Sequence, residues 1–525
     1  MKPLPPWLTP LPDATAMRDV DRWAIDEQGV AGLELMERAG GAVARAVERL
    51  APDGPVAVLC GKGNNGGDGL VVARLLRQAG REVAVLCSSP PEEYSGDAAA
   101  NLERLPGERP SRLDGTPWGA SDGPAAVQVA LGDCVVLVDA LLGTGSRGAP
   151  GGPIAEAIEL VSAAGAPVVS VDVPSGVDAS SGVVAGPAVR ATRTVTFHVA
   201  KPGLWIDPGK EHAGVVEIAD IGIPRGAPVA GALGLIEPAV LDELPRRGPA
   251  STKFVSGHVL LAGGSRGLSG APAMACRAAM RAGAGYVTAL IPQGLQAIIA
   301  SYGTPELMSV GLQETDGSLD GRAVSAALAA TERGGAMALG PGLGRSDGAG
   351  EFARSVAQGC KLALVIDADA LNAHAGRLGE LAGRDAPTVL TPHAGELGRL
   401  LGRESAEIAA ERLAAVREAA ETSGAVVVLK GDDTLVAEPA GRVAVSRGGS
   451  PGLATAGTGD VLTGVIGALL AGGLDPFTAA AGGVELHLRA GRLAALAVGA
   501  AEGVIASDVI EALPRARSRK AAEDD

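Results

Sequence analysis

The chain has 525 residues, 46% hydrophobic and 20% charged, and its 45 basic and 60 acidic side chains give a formal net charge of −15. That length exceeds what one hydrophobic core normally supports, so two or more domains are expected, and the balance of apolar and charged residues excludes disorder for most of it. The sign of the charge excludes wholesale binding to a nucleic-acid backbone, so an anionic ligand must be held by local dipoles, a lysine or a metal ion.

Aromatic residues are only 2% and glycines number 77, so the core must rest on Ala, Val and Leu. Five cysteines, at 60, 87, 134, 276 and 360, are never spaced as CxxC, which points to a reducing cytoplasm with no disulfide framework and no zinc knuckle. The opening MKPLPPWLTPLPD has prolines where a signal peptide needs an apolar stretch, and no long apolar run suggests a membrane span.

Apolar residues at helical spacing predict two helices within 17–50, MRDVDRWAIDEQ and LELMERAGGAVARAVERL. A strand VAVLC (56–60), a Gly-rich turn and a helix LVVARLLRQ (70–78) follow, then strands EVAVLC (82–87), CVVLVDA (134–140), PVVSVDV (167–173) and TVTFHVA (194–200). Short, nearly unbroken apolar strands alternating with helices predict a doubly wound α/β domain with a parallel sheet covered on both faces. Residues 221–252 are rich in Pro and Gly and read as an interdomain connection. Beyond it come strands HVLLAGG (258–264), YVTALIP (286–292), AMALG (336–340), LALVID (362–367), TVLTP (388–392) and AVVVLK (425–430). The strand-like runs TLVAEP and RVAVSRG then precede a long helix opening at GTGD (457–460). The expected domains are 1–225 and 235–515, with 516–525 a frayed tail that lacks an apolar face.

GKGNNGGDG (61–69) sits between a strand and a helix and contains GxGxxG. The next strand ends in Cys87-Ser88-Ser89, where a ribose-binding acid should stand, so a nicotinamide dehydrogenase is disfavoured. Asn64, Asn65 and Asp68 crowd oxygens and backbone N–H groups onto a helix start, which suits a phosphate or a hard cation; the plain structural alternative is a tight turn. DALLGTG (139–145) and DVPSGVD (172–178) each place an Asp at a strand's end, the edge at which open α/β sheets bind ligands, and Lys201 of KPG adds a cation nearby. GxSxG occurs three times, at 263–267, 344–348 and 448–452, which empties it of meaning, and a serine hydrolase is rejected. No Walker loop is present. Gly457, Thr458 and Gly459 would leave bare N–H groups at a helix start for a transferring phosphate, with Asp460 placed to accept a proton from an attacking hydroxyl. The structural alternative is a first-turn Asp that complements the helix dipole. LKGDDT (429–434) offers a lysine and a turn for a nucleotide, and TPHAGE (391–396) a histidine at a strand end.

Together these motifs resemble the bifunctional enzymes that repair hydrated nicotinamide nucleotides. MRDVDRWAI, LMERAG, GNNGGDGLVVAR, DALLGTG, DVPSGVD and KPG are similar to NAD(P)H-hydrate epimerase; GGSRGLSGAP, RAGAGYV, GPGLG, DADAL, LTPHAGEL, LKG, ATAGTGDVLTG and ASDVIEALP are similar to ADP-dependent NAD(P)H-hydrate dehydratase. The resemblance implies two three-layer α/β domains, the first a Rossmann-like doubly wound sheet and the second a ribokinase-like fold. It implies hydrate binding by Asn64, Asn65, Gly66, Gly67 and Asp68, by Gly143, Thr144, Gly145, Ser146, Arg147, Gly148 and Ala149, and by Asp172, with potassium on Asn65, Asp139 and Ser175. In the second half it implies substrate contacts at Ala271, Gly344, His393 and Asp460, and nucleotide contacts at Lys430, Gly431, Asp432, Asp433, Thr434 and Gly459. Arg492 stands where an acidic residue is expected, which bears on local helix packing.

The hydrate carries a hydroxyl at C6 of the nicotinamide ring, in R or S configuration. On this reading Asp172, with Lys201 a second candidate, is the acid–base group that interconverts the epimers. Asp460 is the base that lets the S hydroxyl attack ADP, giving NAD(P)H, AMP and phosphate with Mg²⁺ assisting. The ligands expected are NADHX or NADPHX and ADP, on a cytoplasmic homo-oligomer that meets neither nucleic acid nor membrane. Two alternatives stay open: a ribokinase-like kinase whose small-molecule product keeps its phosphate, and a first half that binds nucleotide without catalysis.

Overall fold

The computed structural model describes residues 3–113, 131, 133–229 and 231–518. The chain divides into two compact units, Pro10–Leu233 and Met1–Thr9 with Gly234–Asp525.

The first unit is built on a seven-stranded parallel sheet. Its order is Ser111–Arg112, Val83–Cys87, Val56–Cys60, Val136–Ala140, Val168–Val171, Arg193–Phe197 and Val215–Ala219. Side chains alternate along each strand, so both faces must be covered. Val56, Val58 and Cys60 pack under the helices Gly32–Leu50 and Asn64–Gln78, and Ala57 and Leu59 pack under Gly152–Ala163. From Val56–Cys60 the chain winds one way through two strands, then returns to Val136–Ala140 on the other side. Loops from those neighbouring strands therefore diverge at their carboxyl ends and open a crevice there.

The second unit has an eleven-stranded sheet. Met308–Leu312, Tyr286–Pro292, His258–Ala262, Ala336–Leu339, Ala363–Ile366, Thr388–Leu390 and Val426–Leu429 run parallel in that order; Leu435–Ala437 and Val443–Val445 continue antiparallel. Leu233–Ile236 and Leu8–Pro10 finish the edge. One face carries the helices Gly270–Ala282, Thr458–Ala471, Pro476–Val498 and Ala506–Ala516 over Val259, Leu261, Ala338, Val365 and Val428. No helix among the described residues is long and apolar enough to cross a membrane.

Several expected boundaries are corrected. The first nine residues, expected in the first domain, belong to the second unit, because Leu8–Pro10 joins the edge strand Leu233–Ile236 that lies inside the expected connection. The helix after the Gly-rich turn starts at Asn64 rather than Leu70, its first turn being polar because it faces the crevice. Strands expected to reach 173 and 200 stop at Val171 and Phe197, since Asp172 and His198 take left-handed backbone angles, φ 63° and 64°. Ala516 is the buried end of the last helix, and 519–525 of the expected tail lie outside the described residues.

Candidate active sites

At the crevice of the first unit lies a cavity of about 770 Å³, lined among others by Asn64, Asn65, Asp68, Gly143, Thr144, Gly145, Ser146, Asp172 and Lys201. The helix Asn64–Gln78 has no side-chain cap among the described residues, and its first N–H groups are left for a ligand. Only glycine fits at Gly66, where a Cβ would lie 1.7 Å from the Gly61 carbonyl oxygen. This close contact lets the turn fold tightly against the strand end.

Asp172 sits at a left-handed position, an uncommon conformation for a non-glycine residue and a costly one unless its surroundings hold it. Lys201 Nζ (2.5 Å), Thr196 Oγ1 (2.9 Å) and Phe197 N (3.2 Å) all donate to its Oδ1. No protein donor among the described residues reaches Oδ2, so that oxygen remains for the cavity. Three further carboxyls, Asp21, Asp68 and Asp97, line the same cavity. Asp68 is pushed well above the usual carboxylate range by burial and by the charges of Asp172 and Asp21, with Lys201 opposing; Asp21 is raised by burial, against Lys201. The Asp172–Lys201 pair therefore stands beside two carboxyls whose pKa values burial raises.

Beneath the cavity, Asp139 is fully buried. Ser175 Oγ (2.5 Å) and Leu141 N (3.3 Å) donate to its Oδ1, and Ser175 N (2.8 Å) and Ser170 Oγ (2.9 Å) to its Oδ2. Leu142 N donates to Ser175 Oγ (2.9 Å), and Asn65 Nδ2 donates to Leu142 O (3.0 Å), linking all three expected potassium ligands through one loop. Burial raises the Asp139 pKa against those hydrogen bonds. No cationic side chain among the described residues pairs with it, and an unpaired buried carboxylate is costly, so the oxygen-only donor set fits a hard cation.

In the second unit, the helix Thr458–Ala471 opens from Gly457 at φ 91°, and Thr458 Oγ1 turns back to the carbonyls of Leu453 (2.8 Å) and Thr455 (2.9 Å). The N–H groups of Thr458, Gly459 and Asp460 have no partner among the described residues, as an anion site requires. Lys430 Nζ bonds Asp367 Oδ1 (3.0 Å) and lies 3.7 Å from Glu396 Oε2, while Thr463 Oγ1 bonds Asp367 Oδ2 (2.5 Å). Burial and the negative charge of Asp367 push Asp460 up to about 7, with Lys430 pulling the other way. Burial works against the charge on Lys430, but Asp367, Glu396 and Asp460 hold its pKa up. A carboxyl that titrates near neutrality beside bare N–H groups and a lysine has the properties of a general base in phosphoryl transfer.

A cavity of about 380 Å³ adjoins this point. Lys430, Gly431, Asp432, Thr434 and Gly459 line it. Asp433, expected among the nucleotide contacts, does not: it is buried against Arg412, 2.7 Å away. His393 caps the helix Ala394–Leu401, its Nδ1 accepting from Gly395 N (3.0 Å) and Glu396 N (3.3 Å). Gly344 N donates to Asp369 Oδ2 (2.9 Å), and Ala271 packs toward the turn at Gly342.

The model described as YjeF-related protein N-terminus matches residues 32–203, and that described as NAD(P)H-hydrate dehydratase matches 259–515. A bifunctional NAD(P)H-hydrate repair enzyme from Moorella thermoacetica is 40% identical over 512 residues, 95% of each chain. One from Escherichia coli is 34% identical over 511 residues, 96% of this chain and 93% of that one. The chain belongs to the bifunctional NAD(P)H-hydrate repair enzyme family. An ADP/ATP-dependent NAD(P)H-hydrate dehydratase from Bacillus subtilis, co-crystallised with ATP and Mg²⁺, is 30% identical with a TM-score of 0.46, covering 53% of this chain and 94% of that one. The paired Rossmann-like and ribokinase-like α/β folds are those expected of the family's two halves.

Within this family's frame, the structure brings together most residues singled out from sequence. Gly66 and Gly67 are buried behind the lining of the first cavity, and Arg147, Gly148 and Ala149 fall outside that lining. Sequence reasoning passed over Asp21, Asp367, Asp369, Glu396 and Thr463 as site residues. DADAL, at the end of a strand, was a visible signal for Asp367 and Asp369; Asp21, on a helix far from any strand end, offered none.

Proposed function

We propose that this protein repairs hydrated NADH and NADPH, the first unit interconverting the R and S hydrates and the second dehydrating the S form at the expense of ADP. The observation that carries the second activity is Asp460, titrating near 7 beside three unpartnered N–H groups and Lys430. With its proton taken by Asp460, the C6 hydroxyl attacks the terminal phosphorus of ADP. AMP leaves, the N–H groups and Lys430 stabilising the charge on the transferring phosphoryl group. Expulsion of phosphate by the N1 lone pair and loss of a C5 proton then restore the dihydronicotinamide. No cluster of three or more His, Cys, Asp or Glu among the described residues forms a metal cage, which suits Mg²⁺ brought in largely on the nucleotide's phosphates to neutralise their charge.

In the first unit, protonation of the C6 hydroxyl lets water depart and return on either face of the resulting iminium. Asp172 Oδ2 carries the proton to the departing hydroxyl and takes it back from the returning water, and Lys201 positions Asp172 through their 2.5 Å contact. Potassium on Asn65, Asp139 and Ser175 supplies positive charge under the loop that shapes the cavity. The test is recovery of the reduced-nicotinamide absorbance from a mixture of R and S hydrates with ADP and Mg²⁺. Complete recovery with release of AMP and phosphate supports both activities; recovery of the S fraction alone refutes the epimerase, and a stable phosphorylated product refutes the dehydratase.

A further inference from the structure

Interconverting two configurations at C6 requires a hydroxyl to leave one face of the nicotinamide ring and another to arrive on the opposite face. Asp172 is fixed through Oδ1 by Lys201, Thr196 and Phe197, and a carboxyl fixed on one wall serves one face of a ring held against it. The strand order brings a second carboxyl to the same cavity. Val56–Cys60 leads through the Gly-rich turn into the helix that carries Asp68, Val168–Val171 leads to Asp172, and Val136–Ala140 lies between them. At about 4.8 Å between neighbouring strands, those two strand ends stand about 10 Å apart, the width of a flat ring with an oxygen on each face. Asp68 lines the cavity and is 8% exposed. A Cβ on its neighbour Gly69 would come within 2.6 Å of Ala140 Cβ, so the helix lies hard against the intervening strand and Asp68 is held in place. Its carboxyl has no hydrogen-bond partner among the described residues, while its oxygens keep access to the cavity. Buried polar groups nearly always have partners, so an unpartnered carboxyl on a cavity wall marks a place for a ligand group. Burial and the charges of Asp172 and Asp21 hold it well above the usual carboxylate range, against Lys201, and so favour the form that can give a proton. Asp21 and Asp97 are only half-buried, on the helices Ala14–Arg22 and Gly96–Glu103.

Resting on the reading of this cavity as the epimerising site, we propose that Asp68 is its second catalytic carboxyl, serving the face of the nicotinamide ring opposite the one served by Asp172. In one direction the proton of Asp68 passes to the C6 hydroxyl. The C6–O bond breaks with its electron pair going to oxygen, water leaves, and the N1 lone pair forms the iminium. A water on the Asp172 side then makes the new C6–O bond and gives one proton to Asp172. The opposite direction exchanges the two roles, and between turnovers the proton returns from Asp172 to Asp68 through water in the cavity. Asp172 acts alone only when water leaves and returns on its own side, which exchanges the oxygen without changing the configuration.

Incubation of pure R or pure S hydrate with the full chain in ¹⁸O-labelled water, without ADP, tests this. Label and configuration are followed together for the parent, Asp68→Asn and Asp172→Asn, below their melting temperatures and above the exchange seen without protein. Asp68→Asn should slow interconversion by about 10²–10⁴ yet still exchange the hydroxyl of one epimer, through Asp172 on its own face. Asp172→Asn should exchange the hydroxyl of the other epimer alone. Interconversion by folded Asp68→Asn within about tenfold of the parent, or labelling of the same epimer by both variants, overturns the inference. So does loss of labelling from both epimers in folded Asp68→Asn, which assigns Asp68 to binding. Asp68→Ser, smaller and also uncharged, repeats the test if Asp68→Asn does not melt as the parent does. A parent that neither labels nor interconverts the hydrates refutes the epimerase reading itself.

Discussion

Lys201 Nζ lies 2.5 Å from Asp172 Oδ1, and the lysine is 1% exposed. A buried ammonium depends on its carboxylate, and removing one partner of such a pair costs about 3–5 kcal/mol because the other charge is stranded. Asp172→Asn should therefore act twice, slowing R/S interconversion by about 10²–10⁴ through loss of the proton carrier and lowering the melting temperature. Dehydration of pure S hydrate below that melting point should be untouched. Epimerase assays and calorimetric melts read the two effects separately.

Asp139 offers a second test. Its carboxyl is saturated with hydrogen bonds yet has no cationic partner among the described residues. Asp139→Ala should weaken potassium binding and slow epimerisation, leaving S-hydrate dehydration intact. Rate measurements across potassium concentrations check this; identical epimerase curves for variant and parent would remove potassium from Asp139.

The titration of Asp460 near 7 gives a pH dependence with a definite sign. As a base it must be ionised, so dehydratase kcat/KM should rise through about pH 7 from the acid side. Stability runs the other way. The folded state holds this proton more tightly than the unfolded chain, so the contribution is fully present below the ordinary carboxyl pKa of about 4 and is lost as pH rises through about 7. Asp460→Asn removes that loss. Its melting temperature relative to the parent should climb between about pH 4 and about pH 7.

Lys430 counters the charges of Asp367, Glu396 and Asp460. Lys430→Met should weaken ADP binding and move the rise in dehydratase rate to higher pH, since Asp460 loses the cation that favours its ionised form. An unshifted profile would separate Lys430 from the base.

Much of both sites was legible because parallel strands are short apolar runs and their carboxyl ends carry the ligand loops, so Asp139 and Asp172 could be placed at strand ends of the first sheet, and Lys430 at a strand end of the second, from sequence alone. What could not be seen depends on contacts between distant segments. Leu8–Pro10 is only three residues long and becomes a strand by pairing with Leu233–Ile236, so no local period announced that it belongs to the second unit. Asp433 looks like its neighbour Asp432 in the sequence, but Arg412, at the start of the helix Arg412–Ser423, takes it into the interior. The left-handed angles of Asp172 and His198 cut two strands short, and the apolar runs through those positions conceal it. Arg492, unexpected by resemblance, reaches the Gly448 carbonyl at 3.3 Å.

The most direct measurement is single-turnover dehydration of pure S hydrate with saturating ADP, comparing the parent with Asp460→Asn. The substitution keeps the side chain's shape at the helix start and leaves the unpartnered N–H groups and Lys430 in place, so ADP should still bind. If Asp460 is the base of phosphoryl transfer, the rate should fall by about 10²–10⁴ while R/S interconversion in the first unit stays unchanged. A variant that keeps more than about a tenth of the parent rate would contradict this, leaving Asp460 a first-turn residue that complements the helix dipole, worth about 0.3–1 kcal/mol of stability.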